Sequence, residues 1–200
     1  MLFENPADCI VMKSVISDQQ RLHMVDWLES QMDAGALRPN EVGGPRYYCE
    51  AAKLGDLPDF YPALKRHLAR QLGISEFAED EVLGDLLTCN EAGAQIHRHR
   101  DTADGDGRWH IRVNLYLQAA QQGGEPVLRG HQLDLEEGDA WAFVANETEH
   151  WNTPVGGDRR RLTFSYAMNV DRPDAMLAQF VFPRLRVKHL DGIAPLAHAD

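Results

Sequence analysis

The sequence predicts a mainly β protein whose two main helices lie in its N-terminal part. Its strands are expected to close into a sandwich or barrel. Three observations predict it. Apolar residues recur at helical spacing only before residue 82. From there on, short β-like runs are separated by Gly, Asn and Asp turn signals. One of those runs, RWHIRVNLYL, alternates without a break between apolar and polar residues.

The elements follow in order. Cys9 to Val15 reads as a first strand. Ser17 reads as a helix N-cap, followed by Leu22, Val25, Trp27, Leu28 and Met32 at roughly helical spacing, with Gly35 as the stop. Residues 36–56 contain Pro39, Gly43, Gly44, Pro45 and Gly55 and read as irregular. A second helix begins near Pro58 and runs through Tyr61, Leu64, Leu68 and Leu72 to Gly73. Strands are then expected over 82–90, 94–99, 109–118, 126–129, 140–145 and 160–169. Pro173 is expected to open a last short helix, and no element is predicted beyond Pro183. The chain of 200 residues thus reads as a single domain: 1–81 as N-terminal helical support, 82–170 as β core, 171–200 as C-terminal tail.

Composition sets the class. The chain is 44% hydrophobic and 26% charged, as ordinary globular proteins are. A net charge of -11 argues against nucleic acid and anionic membranes as partners. No apolar run is long enough for a transmembrane helix, and MLFENPADCIVMKSV does not read as a signal peptide. Cys9, Cys49 and Cys89 are odd in number and form no CxxC, so three reduced thiols in a cytoplasmic protein are expected. Cys89 reads as a small buried hydrophobe within a strand.

The polar face of RWHIRVNLYL carries Arg108, His110, Arg112, Asn114 and Tyr116. A polar strand face ordinarily meets water. Solvent faces, however, are rich in Lys, Glu and Thr, whereas these residues recognise ligands and can grip carboxylates. The face is therefore expected to line a cavity, with Trp109, Ile111, Val113, Leu115 and Leu117 packing against the helices. In RRRLTFSYA, Arg159, Arg161, Thr163 and Ser165 share one face, while Arg160 belongs to the other and should point outward. Two such strands predict a wet, cationic pocket suited to a small di-acid.

Histidines concentrate here. His99 and Asp101 form a His-x-Asp pair, and His150 follows after the AWAFVA strand and a short turn. Two imidazoles and one carboxylate on one face of an octahedron leave three positions open, which suits iron(II) binding a chelating co-substrate and then O₂.

From about Leu86 to Ser165 the pattern resembles the 2-oxoglutarate/iron(II) dioxygenase superfamily. LYLQAAQQGGEPVL resembles a prolyl 4-hydroxylase segment, with Gln118 where Asn is common. EGDAWAFVANETEHWNTPVGGDRRRLTF resembles that family's Gly-Asp turn, strand, distal His and Gly-x-Arg. Arg108-x-His110 and His150-Trp151-Asn152 are similar to aspartyl/asparaginyl β-hydroxylase-like enzymes. The resemblance implies a double-stranded β-helix, a jelly-roll, cupin-like barrel with helices outside. It implies Fe(II) and 2-oxoglutarate as cofactors, the metal held by His99, Asp101 and His150. Arg159 is the first choice for the 2-oxoglutarate C5-carboxylate and Arg161 the second, helped by Thr163 or Tyr116. His110, Arg108 and Asn114 complete the co-substrate set, and His97, Arg112, Trp151 and Asn152 are substrate candidates. Arg46, Tyr47 and Tyr48 are read as a substrate-covering segment.

The expected activity is O₂-dependent hydroxylation of an amino acid, a peptidyl residue or a carboxylate-bearing small metabolite, releasing succinate and CO₂. Asp101 argues against halogenation, because related halogenases vacate the carboxylate position for halide. Two alternatives stand beside this reading. One is a cupin-type dioxygenase without 2-oxoglutarate, in which His97 supplies a third imidazole. The other is a non-enzymatic metal- or ligand-binding β-sandwich module. The arginine-bearing strand disfavours the first, since such an enzyme needs no di-acid anchor.

Overall fold

The computed structural model describes residues 1–55, 57–82, 84–102, 107–172 and 184–193. The described residues are mainly β, with two α-helices and a large mixed sheet. The helices are α1 (Asp18–Asp33) and α2 (Tyr61–Gln71). The eight-stranded sheet runs, edge to edge, through Arg186–Leu190 (β13), Asp8–Met12 (β1), Ala140–Val144 (β9), Trp109–Gln118 (β5), Arg161–Val170 (β12), Leu86–Asn90 (β4), Arg46–Glu50 (β3) and Arg38–Asn40 (β2). A three-stranded sheet joins His150–Asn152 (β10), Pro126–Leu128 (β7) and His131–Gln132 (β8). Val155–Gly156 (β11) pairs with Gln122–Gly123 (β6).

Helix α1 starts where Ser17 predicts. Its hydroxyl accepts from the Gln20 amide, and the Gln20 side chain accepts from the Ser17 amide, a complete capping box. Gly35, in the left-handed region, follows its end. The buried face is Gln20, Met24, Val25 and Leu28, so Leu22 points into solvent. In α2, Tyr61, Leu64, Leu68 and Ala69 turn inward. Both helices pack on the apolar face of the large sheet, where Trp109, Ile111, Val113, Leu115 and Leu117 are buried as expected. Leu162, Phe164 and Tyr166 join them, and Arg160 points the same way, contacting Glu29 and Met32 of α1. The three cysteines are free and buried, and burial pushes the Cys89 thiol up to about 11. No helix among the described residues is long and apolar enough to cross a membrane.

Several expectations are corrected. The large sheet draws β1, β2 and β3 from the N-terminal part and β13 from the tail, so it does not begin at residue 82. The segment 94–99 is no strand: it carries one isolated bridge, His99 to His150. Residues 36–56, read as irregular, contain the β2–β3 hairpin. The helix expected at Pro173 lies outside the described residues.

A buried ion pair ties α2 to the sheet. Lys65 Nζ lies 3.0 Å from Asp85 Oδ1, and both side chains are nearly inaccessible. Asp85 also accepts from the Tyr61 hydroxyl and the Ala167 amide. Removing one member strands a buried lysine and two donors. Asp85→Ala is therefore expected to cost about 3 kcal/mol in urea unfolding at unchanged m-value. A loss below about 1 kcal/mol would mean that Glu79, the lysine's other partner, suffices.

Candidate metal and di-acid site

The opposite face of the large sheet is polar and enclosed. His110, Arg112 and Tyr116 are buried along β5, and Arg161, Thr163 and Ser165 along β12. With the three-stranded sheet, Arg112, Arg161, Thr163 and Ser165 help bound a cavity of about 290 Å³. Its walls include Arg112 and Asn114 of β5, Trp141 and Phe143 of β9, Leu128 of β7, and His150, Trp151 and Asn152 of β10. The polar strand face therefore lines a pocket rather than meeting bulk water.

His99, Asp101 and His150 come together at this cavity, each offering a ligand atom within 4.8 Å of the others. Asp101 Oδ1 lies 3.3 Å from His99 Nε2 and 3.4 Å from His150 Nε2. The backbone brings them there. His99 and His150 exchange amide-to-carbonyl hydrogen bonds of 3.1 and 2.9 Å, and the Asp101 amide donates to the Ala145 carbonyl. Both rings are oriented alike: His99 Nδ1 faces the His97 carbonyl at 2.8 Å and His150 Nδ1 the Thr148 carbonyl at 2.9 Å. A carbonyl only accepts, so each Nδ1 donates to its carbonyl and each Nε2 is the nitrogen turned toward Asp101, the one a metal would take.

A second ring of groups holds Asp101. Arg112 Nε donates to its Oδ2 at 3.2 Å, and His110 Nε2 lies 3.6 Å from the same oxygen. Arg112 also donates to the Gly84 carbonyl and approaches buried Asp80. His110 is fixed from behind by Asn169. Burial alone would raise the Asp101 pKa, but hydrogen bonds from His150 and His99 and the Arg112 charge drive it far below the usual carboxylate range. The charged form of Asp101 is thereby favoured. Two imidazoles and one carboxylate, with an exposed side at His99, fit a divalent metal that keeps open positions.

Beyond the metal residues stands Arg161. It is 3% exposed, its guanidinium lying over Tyr116 and Trp141 at 5.5 and 5.9 Å from the ring centroids. Its Nη1 reaches Thr163 Oγ1 at 3.5 Å, and Thr163 is tied to Thr88 at 2.5 Å. Gly124, at φ +79°, leaves it room; a Cβ there would sit 3.0 Å from Arg161 Cδ. Arg161 forms no ion pair among the described residues, and its Nε has no hydrogen-bond partner. A buried, unpaired guanidinium is costly unless a ligand supplies the anion. The set fits the distal carboxylate of a small di-acid.

Not every expected residue arrives. Arg159 stays at the surface, bound to Glu137 at 2.6 Å. It precedes β12 and does not continue the inward face of that strand. Arg108 is also outside, near Asp171. His97 is exposed and offers the site only its carbonyl. His110 stands behind Asp101 and Tyr116 beneath Arg161, neither lining the cavity. The sequence reading missed Trp141, Phe143, Thr88 and Asn40. Strand alternation on β9 and β4 could have found the first three; nothing local marks Asn40.

Solved structures that share this architecture include prolyl hydroxylases. A Pseudomonas putida prolyl-4-hydroxylase aligns over 82% of this chain and 93% of its own, at 21% identity and a TM-score of 0.60. The chain has a prolyl-4-hydroxylase fold. The same fold occurs in the viral collagen prolyl hydroxylase of Paramecium bursaria Chlorella virus-1, solved as a 2OG complex, at 12% identity, 82% and 96% coverage and a TM-score of 0.60. It recurs in a Trichoplax adhaerens prolyl hydroxylase in complex with a hypoxia inducible factor peptide fragment, at 14% identity, 82% and 83% coverage and a TM-score of 0.64. No family profile and no curated protein sequence matches the chain.

Manganese(II) titration tests the metal residues within this fold. His99→Ala, Asp101→Ala and His150→Ala should each weaken binding by more than about 100-fold, and Arg112→Met, which only unseats Asp101, by about 10-fold. His97→Ala should change nothing. A loss at His97 equal to that at His99 would reinstate the three-imidazole reading.

Proposed function

We propose that this protein is a 2-oxoglutarate- and O₂-dependent iron(II) oxygenase. Its reaction is the hydroxylation of an amino acid, a peptidyl residue or a carboxylate-bearing small molecule, with release of succinate and CO₂. The observation that carries the reading is Arg161, a buried and unpaired guanidinium in the same cavity as a His-Asp-His triad. The prolyl-hydroxylase fold supports it. The same reading closes the large and small sheets into a double-stranded β-helix and treats the chain as one domain.

Each residue then has a task. His99, Asp101 and His150 hold the metal, and the His97 and Thr148 carbonyls keep both Nε2 atoms turned toward it. Arg112 and His110 fix Asp101, so that it does not swing into the open positions. Arg161 takes the C5-carboxylate of 2-oxoglutarate in its fork, with Thr163 as a further donor; Tyr116 and Trp141 keep the guanidinium flat. Bound iron(II) supplies the oxidative decarboxylation of 2-oxoglutarate and the activation of O₂. Leu128, Phe143 and Trp141 narrow the cavity and exclude water.

The cupin-type alternative loses its motive, since His97 is outside the triad and such a site leaves Arg161 unneutralised. A pure binding module gives no use to a His-Asp-His triad beside an unpaired Arg161.

Binding of 2-oxoglutarate to the manganese(II)-loaded protein tests the proposal. Arg161→Ala should weaken it by roughly 10- to 100-fold, the worth of a charge-assisted fork. Arg159→Ala and Arg160→Ala should stay within about threefold, as surface pairs do. Iron(II) and O₂ should also convert 2-oxoglutarate slowly to succinate without any second substrate. Equal losses at Arg159 and Arg161, or no 2-oxoglutarate binding at all, would sink the assignment.

A further inference from the structure

Assigning Arg161 to the co-substrate leaves a second cation in the cavity. Arg46, on β3, faces Asn90 of β4 in the sheet register, and Asn90 faces Arg161 of β12. The three residues form one row, and Arg46 and Arg161 both line the cavity. Tyr48, Thr88 and Thr163 form the next row on the same face.

Arg46 is half-buried and forms no ion pair among the described residues. Its Nη1 donates to the Val42 carbonyl, but its Nε is buried without a partner. Burial holds its pKa below the usual guanidinium range. Its charge also opposes that of Arg161. A chain of net charge -11 thus places two uncompensated guanidiniums in one small cavity. One distal carboxylate answers one of them.

Arg46 is also held in place. The β2–β3 turn packs on the segment leading to the metal residues: Gln95 donates to the Gly43 carbonyl at 2.7 Å and Glu91 to that of Pro45 at 3.1 Å. Gly43 and Gly44 both have positive φ, and a Cβ on Gly43 would lie 2.0 Å from the Gln95 carbonyl oxygen. The hairpin is therefore clamped to the chain that carries His99, which fixes the backbone from which Arg46 reaches the cavity.

We propose that Arg46 binds a carboxylate of the substrate to be oxidised, and that this substrate is a small free carboxylic acid, such as an amino acid, rather than a residue within a polypeptide. A cavity of about 290 Å³ has the scale of a small-molecule site. The backbone of an internal peptide residue brings only neutral amides to Arg46, and they leave its charge unanswered. Tyr48 and Asn40, beside it in the wall, offer a ring and an amide to the remainder of the acid. The inference rests on the 2-oxoglutarate reading above.

The experiment uses the full chain loaded with manganese(II) and saturating 2-oxoglutarate, which binds without turnover. Free amino acids and short mono- and dicarboxylic acids are titrated calorimetrically, each beside its primary amide and beside capped tripeptides. At least one free acid should bind, its amide at least about 10-fold more weakly, and Arg46→Gln should cost that acid roughly 10- to 100-fold. The affinity for 2-oxoglutarate itself should move less than about threefold. Arg46→Lys keeps the charge but loses the fork, and should fall between the two; it carries the test if Arg46→Gln does not fold. The inference is overturned if amides or tripeptides bind as well as acids. It is equally overturned if no acid binds, or if Arg46→Gln weakens 2-oxoglutarate as much as Arg161→Ala does. Wild-type protein that fails to bind 2-oxoglutarate refutes the parent reading, and this inference with it.

Discussion

The Asp101 carboxylate is the point on which the site depends. It sits on no strand. Two backbone bridges, one from His99 to His150 and one from its own amide to Ala145, set its position. Four cationic or donor groups surround it: His99, His150, His110 and Arg112. Each alone would be expensive to enclose. Together they balance, because one anion serves several donors, and Arg112 is shared with Asp80. The consequence is a carboxylate held in one orientation, so a metal bound there would need no reorganisation of it.

That arrangement requires a sheet with two unlike faces. The large sheet buries both: one under α1 and α2 with apolar side chains, the other around the cavity with polar ones. The apolar face supplies most of the stabilisation, since it removes whole rows of Leu, Ile, Val and Phe from water. The polar face costs stability wherever a group lacks a partner, as Arg161 Nε and Arg46 Nε do. Such unsatisfied groups cluster at sites whose ligands supply the missing partner.

How far the sequence revealed this depends on the range of the interaction involved. The β5 strand was legible end to end, because its alternation is local and unbroken. The capping box of α1 was legible for the same reason. His99, Asp101 and His150 were legible from order and context, although the expected strand under the first pair is only a single bridge. Which of Arg159 and Arg161 turns into the cavity was not. Both have the same parity, and parity holds only while the strand continues; β12 begins at Arg161, with a register shift just after it. Strands β2 and β3 were hidden by Pro39, Gly43, Gly44 and Pro45, residues that read as loop but build a hairpin tip. Strand β13 was invisible because its parallel partner, β1, lies at the other end of the chain.

The same distinction explains why the metal end of the cavity could be read more firmly than the far end. Metal ligands must be His or Asp at fixed separations, so their identity carries the chemistry. A carboxylate anchor needs only a guanidinium aimed inward, and this chain has many arginines. What separates Arg46 and Arg161 from Arg98, Arg159, Arg160 and Arg172 is that each of the latter already faces a glutamate. In an acidic protein a solvent-facing arginine readily finds a carboxylate; of those lining the cavity, Arg112 is paired with Asp101 and Asp80, but Arg46 and Arg161 find none among the described residues. The charge left over inside the fold is thus a direct consequence of sheet geometry, and it fixes the sign of what the cavity must bind.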